Sequence, residues 1–246
     1  MTPNTMESSQ LNKNLQYLFP TPFWMGIPDD DDLNVVMSEL DSVIDDVISN
    51  DKTEFCSYVS FNAPPQREPG TKLENILSHY NLPAFTSFIT SSILNYVGSS
   101  QWRLPYEYFM KTKKEPQVGI NIHECWLNLS RTGAQQQVHC HPGSMISGVF
   151  YHTCKDGNSP IIFHNPNPIM KMGDFPEGVV NQMITFLPPQ EGGLILFPSW
   201  LEHSTGKEQS DMNRYSVAFN CNVYLEVDES ETSSIGDSNN FVWQPS

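Results

Sequence analysis

Positive charge is scarce in this sequence, which has 13 lysine and arginine residues against 28 aspartate and glutamate residues and a formal net charge of −15. Because such a surface repels nucleic-acid phosphate, we do not expect a nucleic-acid partner bound along the whole surface, and only a local basic groove stays open. The chain also lacks any run of about 18 apolar residues, the length that a membrane-spanning helix needs. Its first residues have no charged segment followed by an apolar one, so they do not resemble a secretion signal. The sequence therefore predicts a soluble, cytoplasmic protein without a membrane partner.

Cysteine is also sparse and irregularly spaced. The five cysteines are an odd number, and no two of them have the C-x-x-C spacing. This pattern does not indicate a disulfide framework or a structural zinc site. A reducing compartment is the simpler interpretation, in agreement with a cytoplasmic location.

The first 105 residues contain two regions with helical spacing. After an acidic start at residues 29–32, apolar residues recur every three or four positions between Leu33 and Val47. A second helical region runs from Leu73 to Val97 and is interrupted near Pro83, where a proline favours the start of a new helix. An extended strand is expected before them, at residues 15–24. We expect both helices to brace a sheet.

From Tyr106 onward the pattern changes to short apolar alternations broken by glycine, proline and asparagine. The predicted strands are residues 118–128, 136–141, 147–152, 161–163, 183–186, 193–197 and 214–224. Short, closely spaced strands of this kind are typical of a jelly roll or sandwich. We therefore expect one mainly β domain: residues 1–105 as an extended segment with bracing helices, residues 106–225 as the β core, and residues 226–246 as a C-terminal arm.

The stretch from Gln137 to Ser144 holds the first candidate for chemistry. His139 and His141 are two positions apart, so on an extended chain both side chains point to one side and Cys140 points to the other. A third histidine, His203, follows a Gly-Gly and apolar-strand unit much later in the chain. The pair alone leaves a metal site and a chance arrangement open, and the third histidine favours the metal site.

Non-haem Fe(II) oxygenases need three ligands on one face of the metal, so that the other positions stay open for an oxo-acid and dioxygen. Arg214 can supply a two-pronged guanidinium for the far carboxylate of such a co-substrate. Ser216 lies on the same side of the strand and can add a hydroxyl. Asn128 and Tyr151 are further candidates for contact with the co-substrate.

Four stretches of the sequence resemble the 2-oxoglutarate- and Fe(II)-dependent oxygenases, in particular a prolyl-hydroxylase-like group found in bacteria and phages. They lie at residues 124–128 (ECWLN), 139–151 (HCHPGSMISGVFY), 194–204 (LILFPSWLEHS) and 213–220 (NRYSVAFN), and the LFPTP stretch at residues 18–22 also fits. The resemblance implies a double-stranded β-helix, of the jelly-roll and cupin-like type. It also implies iron bound by His139 and His203, 2-oxoglutarate held by Arg214 and Ser216, and Fe(II) and 2-oxoglutarate as cofactors.

The sequence departs from that superfamily at one position. The usual pattern is His-x-Asp or His-x-Glu, whereas His141 stands here at the place of the carboxylate. Either three neutral imidazoles bind the iron, or His141 is displaced and water or an anion fills the third position. We expect His141 to be a ligand, because its spacing from His139 favours it. Glu202 is a poor substitute, because as the neighbour of His203 on an extended chain it points away.

The resemblance implies hydroxylation of a C–H bond in an unidentified small-molecule or protein substrate, such as a prolyl or other protein residue. Residues 155–158 and 165–178 are the loops expected to select that substrate, and a phage-encoded protein would act in the host cytoplasm.

Two alternatives stay open: a three-histidine cupin-type dioxygenase that needs no 2-oxoglutarate, and a non-catalytic metal-binding β-barrel module. Arg214 and Ser216 speak against the first, and the missing carboxylate favours the second. A homodimer is compatible with the sequence. Trp126 and Trp200 are predicted to lie in the core. His123 is predicted to be a hydrogen-bonded histidine of the core or its rim rather than a metal ligand.

Overall fold

A computed structural model describes residues 21–59, 73–99, 117–155, 157–167 and 184–226. Three helices precede most of the strands: α1 (Asp30–Ser49), α2 (Ile76–His79) and α3 (Pro83–Ser99). The strands within the described ranges are β1 (Trp24–Gly26), β2 (Cys56–Val59), β3 (Gln117–Ser130), β4 (Ile146–Thr153), β5 (Ile161–His164), β6 (Ile184–Leu187), β7 (Leu194–Pro198), β8 (His203–Thr205) and β9 (Arg214–Glu226). None of the helices in these ranges is both long and apolar enough to cross a membrane.

The long helices form where the apolar spacing predicts them. The first turn of α1 holds three aspartates, whose charge suits the positive end of the helix dipole, and its buried face includes Val36, Leu40 and Val47. Helix α3 begins at Pro83, as expected for a proline that lacks a backbone donor. The carboxylate of Glu39 on α1 accepts hydrogen bonds from the backbone N–H groups of Ala84 (3.0 Å) and Phe85 (2.9 Å). It thereby fixes α1 to the start of α3.

The strands form two sheets. The larger has six strands in the order β1-β7-β4-β9-β3-β2, and the smaller has three in the order β6-β5-β8. All pairs are antiparallel except β2 with β3. The long strand β9 therefore lies between β4 and β3, and its side chains on one face are neighbours of residues on both.

A bulge in β3 determines which of its residues face the interior. The register with β9 shifts between Ile122 and Glu124, so His123 has no residue opposite it. Before the shift Ile122 packs towards the helices, and after it Cys125 and Leu127 do. Because side chains alternate along a strand, Glu124 is turned to the opposite face together with the even-numbered residues that follow it.

Two apolar clusters hold the layers together. The larger lies between the helices and the outer face of the six-stranded sheet. The smaller joins the two sheets through Tyr151, Ile195 and Phe197 from the large sheet and Ile161 and Phe163 from the small one. Two facing β-sheets with helices on one outer side confirm the predicted mainly β fold of the double-stranded β-helix type.

Some of the predicted elements differ from the structure. Residues 136–141 form no regular strand: a single bridge joins His139 to His203, and the N–H of His141 is donated to the carbonyl of Ser199 instead. The short strands β2 and β8 were not predicted. Most of the predicted strand at residues 15–24, the boundary at residue 105, the loop residues from 168 to 178 and the arm after residue 226 lie outside the described residues.

Candidate metal centre

The three histidines singled out in the sequence meet at one end of the interior between the sheets. One ring nitrogen from each of His139, His141 and His203 lies within 4.8 Å of the other two. His203 starts β8, and its N–H and C=O both pair with those of His139 at 2.9 Å. His141 is fixed by its backbone N–H, which donates to Ser199 at 2.8 Å. Backbone hydrogen bonds therefore bring the three histidines together without a metal ion.

Two of these rings have a defined proton position. Nδ1 of His139 lies 2.8 Å from the carbonyl of Gln137, and Nδ1 of His203 lies 2.9 Å from the carbonyl of Leu201. A carbonyl can only accept, so Nδ1 carries the proton in each ring and Nε2 keeps its lone pair. This is the outer hydrogen bond that orients a metal-binding imidazole.

Burial favours the neutral form of His141 and His203. Removal from water lowers the pKa of His203 to about 3, although its hydrogen bond to Leu201 acts in the opposite direction. Removal from water, with repulsion from His139, lowers the pKa of His141 to about 4, while Glu124 raises it. Phe197 and Phe163 pack beside the His203 ring at 4.7 and 6.2 Å. Neutral imidazoles are the form that binds a metal ion.

His141 has different surroundings from the other two. Its Nδ1 lies 3.4 Å from the side-chain nitrogen of Asn220, which also donates to Glu124 at 2.7 Å. The ring of Trp126 lies 6.2 Å away. All three neighbours stand on β3 or β9, which form the floor of the site.

The turn after His141 is tied to the same sheet. His123, at the bulge, is hydrogen-bonded to Ser144 at 3.0 Å, and Asn222 donates to the carbonyl of Gly143 at 3.2 Å. Gly143 has a φ of 87°, a conformation that favours glycine. The bulge thus has a second effect, because it places His123 where it anchors this turn.

Arg214 is buried further along the inner face of β9. Its Nη1 donates to the carbonyl of Ser159 at 2.6 Å and its Nη2 to Ser130 at 3.2 Å, while Nε has no hydrogen-bond partner and lies 4.0 Å from the carboxylate of Glu208. Glu208 is itself buried and accepts from Ser159 and Ser210. Since a guanidinium has five N–H donors, the hydrogen bonds to Ser159 and Ser130 leave three.

The remaining predicted co-substrate residues lie side by side between Arg214 and the histidines. Ser216 is opposite Asn128 on one side and Tyr151 on the other. Trp126 donates its indole N–H to Asn128 at 3.0 Å, and the Arg214 guanidinium lies 5.8 Å from the centre of the Tyr151 ring. Burial raises the pKa of Tyr151 to about 12, so its hydroxyl remains a donor.

Residues 124–220 match the model of a family described as "Putative 2OG-Fe(II) oxygenase". This part of the chain is therefore similar to the 2-oxoglutarate- and Fe(II)-dependent oxygenases. The match begins directly after the bulge in β3 and includes the three histidines, Glu124, Arg214 and Asn220. It agrees with the resemblance seen in the sequence, whereas the bacterial and phage origin stays a prediction.

Several solved structures are similar to the chain. The oxidoreductase of the 2OG-Fe(II) oxygenase family from Burkholderia pseudomallei has 18% identity and a TM-score of 0.33, over 57% of this chain and 59% of that one. HygX from Streptomyces hygroscopicus, solved with nickel and 2-oxoglutarate bound, has 13% identity and a TM-score of 0.44, over 88% and 87%. A Pseudomonas putida prolyl-4-hydroxylase has 12% identity and a TM-score of 0.43, over 82% of this chain and 92% of that one. The match therefore spans less than two thirds of the Burkholderia chain. No curated protein matches the chain in sequence.

The candidate site contains residues that the sequence pattern did not single out. Asn220, Glu208 and Ser159 are buried polar residues at the site, and Glu124, the first residue of the resembling stretch at residues 124–128, had no predicted role. The alternation of polar residues along β9 was the available signal for Asn220. Trp200 is 56% exposed, so its predicted place in the core was wrong. Glu202 is exposed and lies outside the histidine cluster, as expected.

Proposed function

We propose that the chain is a dioxygenase that uses Fe(II) and 2-oxoglutarate to hydroxylate a C–H bond of a substrate not yet identified. The observation that supports this most directly is the combination of two features on one inner face. One is the cluster of three histidine nitrogens within 4.8 Å of one another, and the other is a buried arginine with unused donors. A histidine cluster alone would fit many metal proteins, whereas the arginine adds a site for a carboxylate.

The donor set suits the proposed metal. Imidazole nitrogen is a ligand that Fe(II) accepts readily, and His139 and His203 each have the Nε2 lone pair available. His141 supplies the third imidazole of the cluster, and its part depends on where its proton lies. Phe163 and Phe197 cover His203 and limit the access of water from that side.

The inner face also suits the co-substrate. The Nε of Arg214 is buried without a hydrogen-bond partner, which is costly unless a ligand completes the site. A carboxylate could accept from this guanidinium, and the hydroxyl of Ser216 could donate to the same group. Asn128 and Tyr151 flank Ser216 and can orient the rest of the molecule.

Bound Fe(II) and 2-oxoglutarate would supply the oxidising chemistry: 2-oxoglutarate becomes succinate and carbon dioxide, while dioxygen provides the oxygen atom for the new hydroxyl group. The protein's own part is to hold both groups, exclude water and fix their orientation. The substrate is either a small molecule or a residue in a protein, such as proline. The loops proposed to select the substrate are residues 155–158 and 165–178, of which the structure describes residues 155, 157, 158 and 165–167.

Oxygen uptake tests this function. The protein is supplied with Fe(II), with and without 2-oxoglutarate, and dissolved oxygen and succinate are measured together. We expect uptake that requires both additions and that is matched by succinate, with the His139→Ala variant as the inactive control. Undiminished uptake without 2-oxoglutarate would contradict the proposal and indicate the cupin-type dioxygenase. Metal binding without any oxygen uptake would indicate the non-catalytic metal-binding module.

A further inference from the structure

Asn220 connects three strands beneath His141. It stands opposite Glu124 on β3 and opposite Ser147 on β4, and is almost fully buried. Its side-chain nitrogen donates to Glu124 at 2.7 Å, and its side-chain oxygen accepts from Ser147 at 2.7 Å. Ser147 is in turn hydrogen-bonded to Ser199 at 2.8 Å. The orientation of the amide is therefore determined by partners on both sides.

The Glu124 carboxylate decides which end of the amide faces it. An ionised carboxylate only accepts hydrogen bonds, so the nitrogen of Asn220 has to point towards it. If the amide were turned over, its oxygen would face the carboxylate oxygen at the same short distance. The nitrogen that faces Glu124 is also the atom 3.4 Å from Nδ1 of His141. His141 therefore meets an N–H donor at Nδ1.

This contact gives His141 the opposite proton position from its two neighbours. Nδ1 can face an N–H donor only as an acceptor, so the proton of the ring lies on Nε2. The lone pair at Nδ1 is then occupied by Asn220, and Nε2 has no lone pair to offer. Neither nitrogen of His141 is free to bind a metal ion, whereas His139 and His203 each keep the Nε2 lone pair free.

We propose that Glu124 and Asn220 keep His141 out of the metal's ligand set, so that His139 and His203 bind the metal and His141 is a hydrogen-bond donor beside it. The inference rests on the proposed function and concerns the role of one residue within it. It also explains how the site can lack a carboxylate at position 141, because no side chain at that position has to bind the metal. A third coordination position is left to water or to an anionic ligand, and the Nε2–H of His141 is suited to donate to such an oxygen.

The proton positions can be measured in the metal-free protein. Long-range proton–nitrogen correlation spectra of the ¹⁵N-labelled chain distinguish Nδ1–H from Nε2–H rings. The His139→Ala, His141→Ala and His203→Ala variants assign the signals. We expect Nε2–H for His141 and Nδ1–H for His139 and His203. An Nδ1–H signal from His141 would overturn the inference.

Metal titration provides a second test, with Co(II) as an air-stable probe and the absorption spectrum as the readout. His139→Ala and His203→Ala should each weaken Co(II) binding by more than about 100-fold, which exceeds the usual effect of changing a residue that only contacts a ligand. His141→Ala should weaken Co(II) binding by less than about tenfold. Glu202→Gln is the matched control, because Glu202 is the exposed neighbour of His203 and lies outside this network. An equal loss in all three histidine variants, with unchanged melting temperatures, would contradict the inference.

Exchanging the acceptor and donor side chains at positions 124 and 220 should convert His141 into a ligand. In the double variant Glu124→Gln with Asn220→Asp, the carboxylate faces His141 and accepts a proton from Nδ1, which frees the lone pair at Nε2. Co(II) binding should tighten by about tenfold or more, and adding His141→Ala should remove that gain. No gain in the folded double variant would contradict the inference. If the unaltered protein binds neither Co(II) nor Fe(II), the proposed function fails. If it binds metal but all three histidine variants lose binding equally, only this inference fails, so the two failures are distinguishable.

Discussion

His139 and His203 exchange two backbone hydrogen bonds of 2.9 Å, and their rings lie 4.3 Å apart. Each ring is also fixed by a hydrogen bond from Nδ1 to the carbonyl two residues earlier in the chain. The two nitrogens that can bind a metal are therefore oriented by the backbone alone. This preorganisation reduces the cost of ordering the ligands when the metal binds.

Metal addition should stabilise the folded chain. A metal ion that binds only the folded state at a free concentration of 100 times its dissociation constant adds about 2.7 kcal/mol to the free energy of unfolding. We expect Fe(II), added without oxygen, to raise the melting temperature of the unaltered protein and to leave that of His139→Ala unchanged. His123→Gln is the control, since its side chain lies nearby and can retain the contact with Ser144. Equal stabilisation of the His139 variant would place the metal elsewhere.

Replacement of Arg214 should separate co-substrate binding from metal binding. A hydrogen bond to a charged group contributes about 1.5 to 3 kcal/mol, so Arg214→Ala should weaken 2-oxoglutarate binding by about 10- to 150-fold. Affinity for Fe(II) should change little, because Arg214 is outside the histidine cluster. Calorimetry of the metal-loaded protein without oxygen measures the affinity for 2-oxoglutarate, and metal titration measures the affinity for Fe(II).

Two further variants test the interpretation of the Arg214 result. Arg214→Lys keeps the charge but loses the two-pronged geometry, so its loss should be intermediate. Arg131→Ala removes an exposed arginine and should leave 2-oxoglutarate binding unchanged. Equal losses of metal and co-substrate in Arg214→Ala would instead indicate a damaged fold, because Arg214 also contacts Ser159 and Ser130.

Gly148 is the position in β4 where a side chain should be most harmful. A Cβ built there would lie 2.2 Å from the ring of Phe219, a buried residue opposite it on β9. Gly148→Ala should therefore lower the free energy of unfolding by about 1 to 3 kcal/mol. Gly98→Ala, at an open position in helix α3, should be neutral or stabilising. Urea denaturation measures both, and equal effects would contradict the packing described here.

Asp46 should make stability depend on pH at the acid end. Hydrogen bonds from Lys52 and Tyr80 lower the pKa of Asp46 to about 2. A carboxyl whose folded pKa lies below its unfolded value of about 3.9 stabilises the fold above that value, and the stabilisation is lost as pH falls towards 2. Asp46→Asn should unfold at a lower urea concentration than the unaltered protein at pH 7, and the difference should shrink at pH 3. Asp45→Asn, exposed and adjacent, is the control; a difference that is independent of pH would contradict the assignment.

The sequence predicted the parts of the fold that follow from local periodicity. Helix α1, the break at Pro83 and most of the strands appear where apolar spacing places them, because one face of each is buried. Strand β8 has only three residues, and residues 136–141 form one bridge rather than a ladder. Both depend on pairing between distant segments, which local periodicity does not contain.

The sequence predicted the residues of the metal cluster but not the hydrogen bonds that surround His141. The spacing of His139 and His141 and the later His203 were sufficient to propose a metal cluster, whose three nitrogens the fold brings together. The bulge at His123 was not visible in the sequence, and it is this shift that turns Glu124 towards Asn220. The surroundings of His141 could therefore be described only once the register of β3 and β9 was known.

The most direct test of the proposed function is an anaerobic titration of the metal-free protein with Fe(II) and then with 2-oxoglutarate. We expect a weak visible charge-transfer band that requires both additions, is absent in His139→Ala and needs more 2-oxoglutarate in Arg214→Ala. No band at saturating Fe(II) and 2-oxoglutarate, in a protein that retains its fold, would contradict the assignment of this chain as a 2-oxoglutarate-dependent oxygenase.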